Sequence, residues 1–197
     1  MAGIHHDFAR IAQANGIPLE VDVPQAWLTR RGHLEPIVQE RAPADVLTVL
    51  ATIFTELGGD LVRLERNKGG NPSAPDLIHA ELGCIVELDE LPHFTSARRR
   101  SLALYPPDAQ LLFELAEYRA LIDRHCAEAD AVMARETTKE FPLSGGRVAQ
   151  RAYQDSMRDL LAPTFTGYPV IRIAVPDHSL RGVLATVTEQ LAAFTPA

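Results

Sequence analysis

Residues 75–90 constrain this chain more than any others: they read as two strands joined at a glycine, with acids set into the second strand. Residues 75–83 give one strand and 84–90 the next, with Gly83 at the hairpin between them. Alternate side chains of an extended strand share a face, so Glu87 and Asp89 point the same way while Val86 and Leu88 face a packing layer. Two carboxylates on one face of an otherwise apolar strand are costly unless something compensates them. One reading puts them on the solvent face of an antiparallel sheet, where apolar and charged residues alternate. The other supplies a divalent cation, because Mg²⁺ and Mn²⁺ prefer carboxylate oxygens and keep waters for chemistry. A hairpin through Gly83 brings Asp76 beside Glu87, so Asp76, Glu87 and Asp89 form the candidate metal cluster. His93 follows at a spacing that returns it toward the same strand end, and this density of titratable groups favours the cation.

Elsewhere the pattern predicts helices on both sides of that hairpin. Ile4, Phe8, Ile11 and Ala12 recur at helical spacing and stop at Asn15-Gly16. Residues 19–43, with Pro24, Pro36 and Pro43, read as loop or short strands. From Asp45 an apolar run through Leu57 ends at Gly58-Gly59, which predicts a well-buried helix. Residues 60–65 alternate and are closed by the turn cluster 67–72, which reads as a strand. A long helix is expected from 107 to about 134, another over 147–161 ended by Pro163, a buried-type strand over 169–175 and a closing helix over 180–194. The result is a mixed α/β sheet covered by helices, divided into an N-terminal helix and irregular extension at 1–43 and an α/β domain at 44–197 within a single globular domain.

Composition narrows the function classes. The formal net charge is −7, which argues against a general nucleic-acid coat and confines any nucleic-acid contact to a local patch. No apolar run approaches the roughly 18 residues needed to span a bilayer, and residues 1–10 lack the layout of a secretory signal. Two cysteines, Cys84 and Cys126, make neither a disulfide framework nor a four-ligand zinc site, which points to a reducing, cytoplasmic setting. Cys84 reads as a small buried hydrophobe and His79 as structural.

Pro75-Asp76, then Glu87-Leu88-Asp89 about ten residues on, resembles the bipartite signature of the PD-(D/E)XK, or restriction-endonuclease-like, nuclease superfamily. The fuller string from Glu87 to His93 is similar to the Glu-X-Asp-Gly-X-X-His string of the branch related to very short patch repair endonucleases. The resemblance covers roughly residues 45–175 and implies an αβββαβ core, Mg²⁺ (or Mn²⁺) held by Asp76 and Glu87, and hydrolysis of nucleic acid, DNA ahead of RNA. The third position, commonly a lysine that activates water in that superfamily, is Asp89 here, as in branches where an acid replaces the lysine. The superfamily often adds an acid from its first helix; Glu56 is the matching candidate, beside its reading as an ordinary surface glutamate. Roles in repair, restriction or anti-phage defence, and pairing of subunits into a homodimer, follow from the same resemblance.

Candidate nucleic-acid contacts are Arg98, Arg99 and Arg100 next to the motif, Lys68 in the glycine-rich turn, and Gln150 and Arg151 on a helix that also carries Asp155 and Arg158. Arginine suits bidentate phosphate contacts, while a solvated, salt-bridged surface is the other reading of each group. Two functions remain open: a metal-dependent endonuclease with Asp76, Glu87, Asp89 and His93 as catalytic residues, or an inactive nuclease-like fold that serves as a binding or assembly module.

Overall fold

In a computed structural model of the chain, residues 3–176 and 180–194 are described; the outermost ends of the expected division, 1–2 and 195–197, lie outside them. The strands are β1 (Leu19–Val21), β2 (Leu77–His79), β3 (Ile85–Asp89) and β4 (Ile171–Ala174). The α-helices are α1 (Ile4–Ala14), α2 (Pro36–Arg41), α3 (Ala44–Glu56), α4 (Leu61–Glu65), α5 (Ser96–Leu102), α6 (Leu115–Val132), α7 (Gly146–Thr166) and α8 (Leu180–Ala192). The four strands form one mixed sheet in chain order, β1-β2-β3-β4, with the first two pairings antiparallel and β3–β4 parallel.

Alternation along β3 divides the molecule into two layers. Val86 and Leu88 face one side with Leu77, Ile171 and Ile173, and there they meet Phe8 and Ala12 of α1 and Val183 and Val187 of α8. Ile78 and Ile85 face the other side, against the larger core built by α3, α5, α6 and α7. Glu87 and Asp89 point into this second side, and Glu87 lies opposite Arg172 in the parallel register with β4. The hairpin turns where expected: Gly83 takes φ +73°, open only to residues that tolerate the left-handed region, and its N–H donates to His79 O at 2.8 Å. His79 is buried and its Nδ1 accepts from the Glu81 and Leu82 amides, a structural role as anticipated.

Four boundaries differ from the sequence expectation. Residues 61–65 are helix α4 and not a strand: Asp60 caps the turn by accepting from Arg63 N at 3.1 Å, and only Leu64 is buried while Leu61 and Val62 face solvent. The third antiparallel strand is instead β1, contributed by the N-terminal segment, with Leu19 opposite His79. Helix α6 begins at Leu115 and not at 107, because Pro106-Pro107 and the irregular residues after them precede it. Helix α7 runs through Pro163 to Thr166 and ends at Gly167 in the left-handed conformation. Proline there lacks the N–H that would have reached the Asp159 carbonyl, yet packing of the buried face carries the helix past it. The expected helix over 180–194 is α8, and no helix among the described residues is long and apolar enough to cross a membrane.

Candidate functional site

The hairpin sets Asp76 and Glu87 side by side, and backbone amides hold each carboxylate in place. Asp76 N–H donates to Glu87 Oε1 at 3.2 Å, while Leu88 N–H donates to Asp76 Oδ2 at 2.9 Å. Helix α1 adds His5, whose Nε2 lies 3.3 Å from Asp76 Oδ2, and α7 adds Arg158, whose Nε lies 3.2 Å from Glu87 Oε1. Asp76 keeps a fifth of its side chain exposed and Glu87 almost none, so the pair meets solvent through Asp76. Burial draws the Asp76 carboxyl upward, but the hydrogen bond and charge of His5, with the Leu88 amide and Arg158, hold it below its ordinary value. Burial pushes Glu87 up to about 7; Arg158 opposes that rise and the Asp76 charge adds to it. The Asp76 hydrogen bond raises His5 against its own desolvation.

Asp89 does not join this pair. Its carboxylate is closed by Arg172 Nη1 at 2.6 Å and by the Tyr118 hydroxyl at 2.7 Å, in a fully buried position. Asp89 therefore fills the third motif position as the counter-ion of Arg172, and the expected three-carboxylate cage is absent. Among the described residues no group of three or more His, Cys, Asp or Glu side chains is placed to hold a metal ion. What remains for a cation is a set of two hard oxygen donors, Asp76 and Glu87, braced by amides and exposed at Asp76.

Behind the pair lies a buried ionic network. Arg172 Nε donates to Asp159 Oδ1 at 2.6 Å, and Arg98 and the Tyr105 hydroxyl (2.7 Å) both donate to Asp159 Oδ2. His93 Nδ1 sits 3.1 Å from Asp155 Oδ2 and 3.3 Å from Asp89 Oδ1. Desolvation would lower His93, but Asp155 and Asp89 outweigh it and raise the imidazole. Burial also opposes ionisation of Asp155, yet His93 and Arg172 hold it well below the carboxylate range. Four buried acids, Glu87, Asp89, Asp155 and Asp159, thus face Arg98, Arg158, Arg172 and His93, so each charge has a partner of opposite sign.

Several expected contacts fall elsewhere. Arg98 is fully buried on Asp159 and Tyr105 and cannot reach a phosphate. Arg99 pairs with Asp123 on the surface, and Arg100 donates to the Glu56 carbonyl. Glu56 is an exposed residue at the end of α3, in a shallow hollow that includes Arg100, Leu143 and Ser144 and excludes Asp76 and Glu87. Lys68 and Gln150 do meet, in the walls of a cleft of about 990 Å³ that also includes Arg30, Arg66, Lys139 and Arg147. Arg151 lies outside those walls, because each step along a helix turns the side chain by about 100°.

The sequence reading singled out neither His5, Asp159, Arg172 nor the cleft cations Arg30, Arg66, Lys139 and Arg147. Arg172 had a legible signal, a single charge inside the buried-type strand 170–174. Asp155 and Asp159 had a weaker one, two acids four apart on a helix that buries most of its residues. No protein-family model, curated protein or solved structure matches this chain.

Proposed function

We propose that the chain is a metal-dependent phosphodiesterase acting on nucleic acid, with Asp76 and Glu87 as the cation-binding pair. The observation that carries this reading is the mutual bracing of two carboxylates across the β2–β3 hairpin, one of them partly exposed. Its frame supports it: α1, β1, β2, β3, α7 and β4 come in αβββαβ order once α2, α3 and α4 (between β1 and β2) and α5 and α6 (between β3 and α7) are set aside, with Asp76 just before β2 and Glu87 on β3. That order is the one implied by the restriction-endonuclease-like resemblance, with α1 as the first core helix in place of α3. In the same frame His5 takes the first-helix position expected for Glu56.

Asp76 and Glu87 would hold a divalent cation, whose chemistry there would be Lewis-acid polarisation of a phosphate oxygen and acidification of water. The chain's own groups do the rest. Arg158, the cation nearest the pair, balances the Glu87 carboxylate and holds its Oε1 at 3.2 Å. His5 Nε2, partly exposed beside Asp76 Oδ2, exchanges a proton with the attacking water or the leaving oxygen. His93, placed between Asp89 and Asp155, keeps the buried network neutral and has a positioning role.

The test is cleavage of labelled single-stranded DNA, duplex DNA and RNA with Mg²⁺ or Mn²⁺ and with a chelator. Asp76→Asn and Glu87→Gln are expected to lower the rate by about 100-fold or more, while a folded Asp89→Asn variant keeps its Mn²⁺ affinity. No cleavage under any of these conditions, or full rate in Glu87→Gln, refutes the assignment. One observation favours a second reading, a non-catalytic binding module: Arg158 already balances Glu87 without a cation. Calorimetric titration with Mn²⁺ separates the two, because only the enzyme gives saturable binding that Asp76→Asn abolishes.

A further inference from the structure

We infer that the cleft walled by Arg30, Arg66, Lys68, Lys139 and Arg147 binds a single nucleic-acid strand through its phosphates. The inference rests on the proposed phosphodiesterase reading for the fate of the strand, though not for its capture. The chain has only two lysines among its 19 basic residues, and both stand in this one cleft. Arg30, Arg66, Lys68 and Lys139 have no ion-pair partner among the described residues, whereas the arginines near the acid pair are all neutralised. Five cations gathered in a concavity of a chain with net charge −7 is a local reversal of sign, the signature of an anion site. The one acid in the walls, Glu140, is buried and occupied, with Oε1 accepting from Asn67 Nδ2 at 2.7 Å.

Shape and lining select the ligand. The cleft, about 990 Å³ in volume, has room for a short stretch of one strand. No aromatic side chain lines the cleft, so a free nucleotide finds no platform for its base and recognition must run along the backbone. Helix α7 leads from the cleft toward the acids: Arg147, Gln150 and Gln154 line it, and Arg158, one turn further, contacts Glu87. Eleven helical steps lead from Arg147 to Arg158, roughly 16 Å, the axial span of about five nucleotides. The cleft is thus placed to anchor a strand whose scissile bond lies at the pair, and oligonucleotides shorter than about five residues cannot occupy both.

The experiment is fluorescence anisotropy in chelator, where cleavage is silent, with labelled oligo(dT) of 3 to 20 nucleotides, a blunt 20-bp duplex, and ATP as competitor. The 20-mer is expected to bind with log affinity falling against log salt at a slope near −3.5, about −0.7 for each of five phosphate contacts. The Lys68→Glu/Lys139→Glu variant, checked by circular dichroism to be folded, is expected to lose at least tenfold in affinity and about 1.4 in slope. Duplex affinity at or above that of the strand, unchanged binding in the double variant, or ATP displacing the strand at equal concentration overturns the inference. Strand binding that meets these expectations without cleavage on adding Mg²⁺ or Mn²⁺ upholds the inference and rejects the phosphodiesterase reading alone.

Discussion

Arg172→Met removes the hub of the buried network while keeping most of the side-chain volume. Arg172 closes Asp89 and Asp159 through two contacts of 2.6 Å and reaches the Asp155 carbonyl at 3.4 Å. Asp89 keeps Tyr118 and His93 and Asp159 keeps Arg98 and Tyr105, but each of these two carboxylates, with essentially no exposure, loses a guanidinium contact of 2.6 Å. Breaking one buried ion pair by deleting a partner destabilises by about 3–5 kcal/mol, so a loss in that range is the minimum expected. For a chain of this length that corresponds to a fall in Tm of roughly 6–20 °C, large against a total stability of about 5–15 kcal/mol. Urea unfolding followed by far-UV circular dichroism measures it. The deficit should shrink on acidification, because Asp159, held low largely by Arg172 and Arg98, can then take up a proton. Adding Asp89→Leu should recover part of the loss, since an apolar pair of similar size replaces a buried ion pair at little net change. A loss under about 1 kcal/mol in Arg172→Met, or a double variant that is worse than either single one, would show that the network does not hold the sheet to α7.

Other perturbations have equally definite outcomes. Glu87, raised to about 7 from 4.5, contributes stability that is complete below pH 4.5 and disappears as pH rises through 7; in chelator the wild type should therefore lose about 3 kcal/mol relative to Glu87→Gln across that window. A constant difference between their urea midpoints at pH 4.5 and 7.5 would contradict it. Tyr153→Phe removes the hydroxyl that accepts from His33 N at 2.8 Å and meets His33 Nδ1 at 2.7 Å, and an expected loss of about 1–3 kcal/mol is read from thermal unfolding. Gly146→Ala would put a methyl 1.9 Å from the Phe141 carbonyl oxygen, where backbone must move; chemical denaturation should show a loss of at least about 1–3 kcal/mol.

Local pattern made some of this molecule legible. The hairpin through Gly83, the pairing of Asp76 with Glu87 and the position of β4 all follow from periodicity and turn chemistry within one stretch of chain. Partners supplied from far along the sequence were hidden. Asp89 has the same alternation as Glu87, and only the arrival of Arg172 from β4 decides that it is a counter-ion and not a metal ligand. The run Arg98 to Arg100 looks uniform as text, but a helix turns about 100° per residue, so α5 drives Arg98 inward and leaves Arg99 and Arg100 outside. Strand β1 has three residues, too few to show a period, and its partner lies beyond α2, α3 and α4. Residues 60–65 alternate as a strand would, but the Asp60 cap and the single buried Leu64 make them a helical turn.

The parallel pairing of β3 with β4 has a kinetic consequence. Val86 must find Ile171 after α5, α6 and α7 have all been synthesised, and closing so long a loop delays that contact. Until β4 docks, Asp89 lacks the Arg172 guanidinium and Asp159 has Arg98 and Tyr105 without it, so the step that seats Arg172 completes the pairing of both acids. Closing the parallel pair and completing the interior ion pairs of Arg172 thus coincide.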